Sequence, residues 1–169
     1  MDWWKQIHAA LKHAHVGLVV YVPDAGHASL IEACNSDNSM QTVALTTEEE
    51  GIAVLSGAWL GDLRGVLLMQ SSGVGNCINM LSLAKTCQFP LPMFVTMRGQ
   101  WHEFNPWQNP MGQTTDQQLR TASVQTLTAT QPEEVGPMAA ATLDQAFTAG
   151  GMSALLLHQR LMPVKTFGK

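Results

Sequence analysis

Four stretches of this chain are apolar at almost every position: Leu18 to Val22, Val66 to Met69, Met93 to Met97 and Met152 to His158. A strand with one wet face alternates apolar and polar side chains, so runs this short and this continuous belong to strands covered on both faces. Two further β-rich runs, Thr42 to Leu45 and Gln125 to Thr128, bring the strands to six. Helical patterns lie between them. Trp3, Trp4, Ile7, Leu11 and Ala14 recur at steps of three and four residues. Ala28 to Asn35, a segment starting at Glu48, Asn76 to Cys87, Thr114 or Thr115 to about Ala122, and Glu133 to Ala149 also read as helices. Such alternation is the pattern of a doubly wound α/β domain, a parallel sheet with helices on both faces. The 169 residues suit one domain over 1–169 and leave little for a second.

Turn chemistry marks the boundaries. Gly17 opens the first strand and Pro23 closes it, and Thr47 is placed to cap the helix that starts at Glu48. Ser71 to Gly75 reads as a glycine turn; Pro132 stands just before the first turn of the last helix, and Gly150-Gly151 ends it. Order breaks from Arg98 to Gln113, rich in Trp, Asn, Pro and Gln, and so long a loop in a compact domain is more often functional than idle. The tail Pro163 to Lys169 reads as loose. Ligands of doubly wound sheets lie outside the carboxyl ends of the strands, which singles out Pro23 to His27, Thr46 to Glu48, Ser71 to Asn76 and Arg98 to Gln113.

Composition removes several function classes. A net charge of -4 and a pI near 5.8 give no basic footprint for nucleic acid or an anionic membrane surface. No run approaches the roughly 18 apolar residues of a membrane helix, and Met1-Asp2-Trp3-Trp4-Lys5-Gln6 interleaves polar residues where a signal core is apolar. Cys34, Cys77 and Cys87 have no Cys-x-x-Cys spacing, so neither a disulfide framework nor a zinc site is indicated and no metal ligand is assigned; a reducing cytoplasm fits. Charged residues make up only 13% of the chain, against about 25% in typical soluble domains. Part of the surface is therefore expected to be subunit interface.

Two segments carry chemistry. Glu48-Glu49-Glu50-Gly51 leads a helix that continues with Ala53, Gly57 and Ala58, although three acids at a helix N-terminus are also what the macrodipole alone favours. Ser71-Ser72-Gly73-Val74-Gly75-Asn76 follows a strand and opens a helix, a setting for phosphate. It lacks the Gly-Lys-Ser or Gly-Lys-Thr of a phosphate loop and the third glycine and trailing acid of a dinucleotide fingerprint, and a plain tight turn is the alternative. Taken together, Glu48 nine residues ahead of Gly57 and the Ser72-Gly73-Val74-Gly75 loop resemble the pyrimidine-binding (PYR) domain of thiamine diphosphate enzymes. Val22-Pro23, Leu68-Met69-Gln70, Met97-Arg98-Gly99 and Met111-Gly112 make nearly the whole chain similar to one branch, the sulfopyruvate and phosphonopyruvate decarboxylases.

The resemblance implies roles for particular residues. Glu48 would hydrogen-bond N1′ of the aminopyrimidine and stabilise its imino tautomer, which activates the thiazolium. Ser72, Gly73, Val74, Gly75 and Asn76 would lie beside the ring, with Asn79 the alternative to Asn76 on spacing. The small residues after Glu48 would let helices of two subunits approach closely. For the substrate, Arg98 offers a forked charged contact to a sulfonate or phosphonate, and His27 and His102 offer donors or a proton shuttle. Plainer readings remain: an ordinary ion pair for Arg98, solvation for the histidines, interface packing for Trp101 and Trp107. Asp24-Ala25-Gly26-His27 and the aromatic stretch Gln100 to Trp107 depart from the branch where substrate would be read.

The Gly-Asp-Gly and Asn-Asn segment that holds metal and diphosphate in these enzymes has no counterpart in the sequence. The resemblance therefore implies a separate beta subunit with the diphosphate-binding (PP) domain, which holds most of the thiamine diphosphate and its Mg2+. It also implies an active site at the subunit interface and a homodimeric or higher hetero-oligomer. The expected activity is decarboxylation of 3-sulfopyruvate to sulfoacetaldehyde and carbon dioxide. Phosphonopyruvate is the alternative substrate, and a non-catalytic α/β module that binds a nucleotide or a protein is the alternative class.

Overall fold

The computed structural model describes residues 2–164. Strands β1 (Leu18–Tyr21), β2 (Gln41–Ala44), β3 (Gly65–Gln70), β4 (Leu91–Thr96), β5 (Gln125–Ala129) and β6 (Met152–Leu157) form one sheet in the order β2-β1-β3-β4-β6-β5. Every neighbouring pair is parallel. The helices are α1 (Trp3–His13), α2 (Ala28–Asn35), α3 (Glu48–Leu60), α4 (Ser71–Cys77), α5 (Leu81–Cys87), α6 (Asn109–Thr121) and α7 (Pro132–Phe147). One core, with Ile7, Leu11, Leu30, Phe94 and Leu143, lies under α1, α2 and α7; the other, with Ile52, Leu67, Val74, Leu81 and Leu119, lies under α3 to α6. This is the doubly wound architecture expected from the sequence. The continuous apolar runs of β3, β4 and β6 are buried as such runs require, while the edge strands β2 and β5 are partly exposed. No helix among the described residues is long and apolar enough to cross a membrane.

The chain steps from β1 to β2 on one side and then to β3 on the other, so β1 and β3 flank a switch point where a crevice opens at their carboxyl ends. Pro23 and Asp24 leave β1 there, and Ser71 leaves β3.

Local structure departs from the sequence expectation at several places. The expected glycine turn is the helix α4 itself, with both glycines inside it, and the expected helix from Asn76 to Cys87 is divided between α4 and α5. Glycine costs a helix about 1 kcal/mol per residue, so α4 is held by its tertiary setting. Thr47 occupies the cap position of α3 but makes no capping bond; Glu50 instead accepts from the Thr46 amide at 2.9 Å. The prolines before Met93 suggested a later start for β4, yet pairing with β6 begins at Leu91, while β3 first pairs at Met93. The irregular stretch after β4 is also shorter than expected. Pro106–Gln108 forms a 3-10 turn capped by Asn105, and Pro110 sits in the first turn of α6, which starts at Asn109. An added Cβ on Gly112 would lie 1.9 Å from the Arg98 carbonyl oxygen, so α6 crosses directly over the end of β4. The tail expected to be loose lies, from residue 165 on, outside the described residues.

Candidate active site

Burial separates the three consecutive glutamates. Glu48 is 8% exposed, whereas Glu49 and Glu50 are exposed. Glu48 opens α3 beside β2, and its side chain reaches across to α4. There Oε2 accepts from Asn76 Nδ2 at 2.8 Å, and the carboxylate lies flat against Gly73. A Cβ on Gly73 would stand 2.2 Å from Glu48 Oε1, 2.3 Å from Cδ and 2.5 Å from Cγ, so only glycine leaves this bed open. Oε1 takes no hydrogen bond among the described residues. Asn79, equally possible from spacing, is exposed and does not reach Glu48. A nearly buried carboxylate with one oxygen held and the other uncommitted suits a ring nitrogen that shares a proton with it. On this geometry the residues present fit the pyrimidine of thiamine diphosphate.

The rest of the expected loop divides by environment. Val74 is fully buried in the core, so its side chain packs α4 against α3 and only its backbone is left to face a cofactor. Gly75 is exposed and faces Met111 of α6, where an added Cβ would meet the sulfur at 3.4 Å. Ser72 is half-buried and donates to Gln70 Oε1 at 3.0 Å.

Beside it, at the switch point, lies a carboxylate that sequence reasoning did not assign. Asp24 Oδ1 accepts from Gln70 Nε2 at 2.8 Å, and Oδ2 accepts from Thr96 Oγ1 at 2.5 Å, tying the ends of β1, β3 and β4 together. Burial opposes its charge, but the field of His27 and the hydrogen bonds from Thr96, Gln70 and the Gly26 amide outweigh burial and hold its pKa below the ordinary range. The available signal was its place directly after a strand and a proline, in a loop singled out at the carboxyl end of the first strand.

A small cavity of about 50 Å³ opens next to Asp24, lined also by Gly26, Thr96, Arg98, Trp101, His102 and Gln159. It has room for roughly three waters, well below the volume that ligand sites usually offer. The three residues expected to hold substrate fare differently here. His27 is fully buried, with Nε2 on the Phe94 carbonyl oxygen at 3.0 Å. Burial pushes its pKa below the ordinary histidine range, against the pull of Asp24, and the ring has no exposed edge in this structure. Arg98 lines the cavity, but Nε and Nη2 are both spent on Glu103 at 2.8 and 2.6 Å. Those two donors form one of the two edges that could fork a sulfonate, and that edge is taken by the ion pair. Glu103 also accepts from the Gly99 and Asn105 amides and from Gln159, making it the hub of the loop. Only His102 remains open to solvent, with its ring edge-on to Trp101. Among the described residues no group of three His, Cys, Asp or Glu side chains is placed to hold a metal ion.

Comparison with known proteins bears on this geometry. No family model matches the chain. The alpha subunit of sulfopyruvate decarboxylase from Methanococcus maripaludis is 36% identical over 135 residues, which cover 79% of this chain and 81% of that protein. Phosphonopyruvate decarboxylase from Streptomyces viridochromogenes is 37% identical over 92 residues, 54% of this chain and 23% of that enzyme. Among solved structures, the 2-oxoglutarate:ferredoxin oxidoreductase of Magnetococcus marinus superposes with a TM-score of 0.73 at 11% identity, covering 95% of this chain and 29% of that one, a likeness of fold alone. With its buried glutamate bedded on a helical glycine, and with identity at this level over most of both sequences, the chain belongs to the family of sulfopyruvate decarboxylase alpha subunits.

Proposed function

We propose that this chain is the alpha subunit of a thiamine diphosphate-dependent 2-oxo acid decarboxylase that converts 3-sulfopyruvate to sulfoacetaldehyde and carbon dioxide. A beta subunit with the PP domain completes the site and holds the diphosphate and Mg2+. The observation that carries this reading is the Glu48 carboxylate: 8% exposed, fixed by Asn76 and lying on Gly73. Bound thiamine diphosphate supplies the nucleophilic carbon and the electron sink that loss of carbon dioxide from a 2-oxo acid requires.

This chain contributes proton control and shape. Glu48 Oε1 holds the proton shared with the ring nitrogen, and Asn76 keeps the carboxylate from rotating away. Gly73 lets that carboxylate sit against the helix backbone, nearly buried. His102 stands at the cavity mouth, where it can meet substrate. The exposed small residues Ala53 and Gly57 of α3, flanked by Val54, Trp59 and Leu60, form a surface suited to another subunit.

Similarity to phosphonopyruvate decarboxylases supports phosphonopyruvate as a second substrate for the same chemistry. The test is co-expression with a candidate beta chain, followed by assay of carbon dioxide release from each acid with and without thiamine diphosphate and Mg2+. Release from sulfopyruvate that depends on both additions and on the beta chain is the expected result. Release that is indifferent to thiamine diphosphate would overturn the proposal.

A further inference from the structure

Arg98 has a second edge. Nε and Nη2 are held by Glu103, and among the described residues Nη1 and the outer proton of Nη2 have no hydrogen-bond partner. Arg98 lines the cavity beside Asp24, whose volume of about 50 Å³ is too small for a whole 2-oxo acid but holds roughly three waters. An anionic head with three oxygens on one central atom replaces three waters, and it presents two of its oxygens to such a fork.

Charge decides which head the cavity can take. Among the described residues, the charged or titratable side chains that line it are Asp24, Arg98 and His102. Arg98 is matched by Glu103, whose side chain is 4% exposed, at 2.6 Å. Asp24 stays ionised, because the field of His27 and its hydrogen bonds hold its pKa below the ordinary range. The Arg160 guanidinium stacks on Trp101 but is exposed and does not line the cavity, so solvent and salt screen it. His102 apart, the cavity therefore combines a directional pair of donors with no surplus of positive charge: one guanidinium stands against two carboxylates.

We propose that this cavity seats the anionic head of the substrate on the second edge of Arg98, and that Glu103 and Asp24 restrict it to a singly charged head, a sulfonate or a singly protonated phosphonate. The inference rests on the decarboxylase reading above and deepens it to substrate choice. A doubly charged phosphonate brings one more negative charge against two carboxylates already in place.

The test is kcat/KM of the assembled complex for sulfopyruvate and for phosphonopyruvate between pH 6 and pH 8, with thiamine diphosphate and Mg2+ saturating. Their ratio cancels every titration of enzyme and cofactor that acts on both acids alike. The sulfonate keeps one charge throughout, whereas the phosphonate gives up its second proton in about this range. Phosphonopyruvate should therefore lose about tenfold against sulfopyruvate from pH 6 to pH 8. Where its turnover is too slow to follow, its inhibition constant against sulfopyruvate supplies the same comparison. Glu103→Gln and Asp24→Asn each remove one negative charge, and each should recover about threefold or more of the loss at pH 8. His102→Gln should leave the fall in place. A ratio that does not change with pH overturns the inference and leaves the thiamine reading intact, as does a fall that survives both carboxylate variants or vanishes in His102→Gln. If Glu103→Gln does not assemble, Asp24→Asn and the wild-type profile decide. A complex that decarboxylates neither acid overturns the thiamine reading and this inference together.

Discussion

Gly73→Ala tests the bed beneath Glu48. The added methyl would lie 2.2 Å from Oε1 and 2.5 Å from Cγ, against about 3.5 Å for a comfortable contact. Either the carboxylate withdraws by about 1 Å or α4 shifts. In a free helix the change would add about 1 kcal/mol of stability. Overpacking here subtracts about 1–3 kcal/mol, and the lower figure applies if Glu48 swings aside and gives up its hydrogen bond to Asn76. The two terms nearly cancel, so the melting temperature of the complex should stay within about 5 °C of wild type. Catalysis has no such compensation, because a misplacement of about 1 Å costs on the order of 100-fold in rate. The assay is kcat for decarboxylation at saturating cofactor and substrate, paired with a thermal melt. A wild-type kcat in Gly73→Ala would refute the claim that Glu48 works from the position seen here. Collapse of the fold would refute the claim that the side chain can yield.

Other consequences can be measured on the same complex. Glu48→Gln should lower kcat at least about 100-fold with assembly intact, whereas Glu50→Gln should cost only about 1 kcal/mol through its bond to the Thr46 amide; the reverse ranking would misplace the catalytic acid. For Glu103, burial works against the charge, but Arg98, the Asn105 and Gly99 amides and Gln159 bring its pKa down from 4.5 to about 2. The unfolded chain takes up this proton first, so the contribution, on the order of 3 kcal/mol, is complete above about pH 4.5 and is lost as pH falls toward 2. Glu103→Gln should flatten that acid limb in melts recorded against pH, and an unchanged slope would assign it elsewhere. Burial pushes the thiols of Cys34 and Cys77 up to about 12, so a thiol reagent at pH 8 should label only the exposed Cys87 quickly. Rapid labelling of two or three thiols in the folded protein would contradict the packing.

The fold was legible because parallel strands buried on both faces write their burial directly into composition: Leu67, Leu68 and Met69, or Ala154 to Leu157, admit no wet face. Boundaries were legible only where local chemistry decides them, as with Pro132 at the start of α7. The helix α4 was hidden because Gly73 satisfies a tertiary demand, the approach of Glu48, that outweighs its local preference for a turn. The same demand made the motif recognisable, since a carboxylate and a glycine that must touch are constrained together even at a separation of twenty-five residues.

Side chains whose role depends on a partner chosen by the loop were not legible. Arg98 after a strand end reads equally well as a ligand for an anion or as an anchor, and what separates the two is Glu103, whose carboxylate must fold back to meet it. Gly99, at φ +71, permits that return, and the buried hub at Glu103 then stabilises it. Nearby, the Arg160 guanidinium stacks on Trp101 at 4.3 Å, a second cation engaged within this chain. His27 was not legible for a related reason: one residue before α2, its ring turns inward with Nε2 on the Phe94 carbonyl, a burial that only the packed sheet decides. The acidic partner of the crevice, Asp24, is visible only once β1, β3 and β4 lie side by side, because Gln70 and Thr96 come from strands 46 and 72 residues further along the chain.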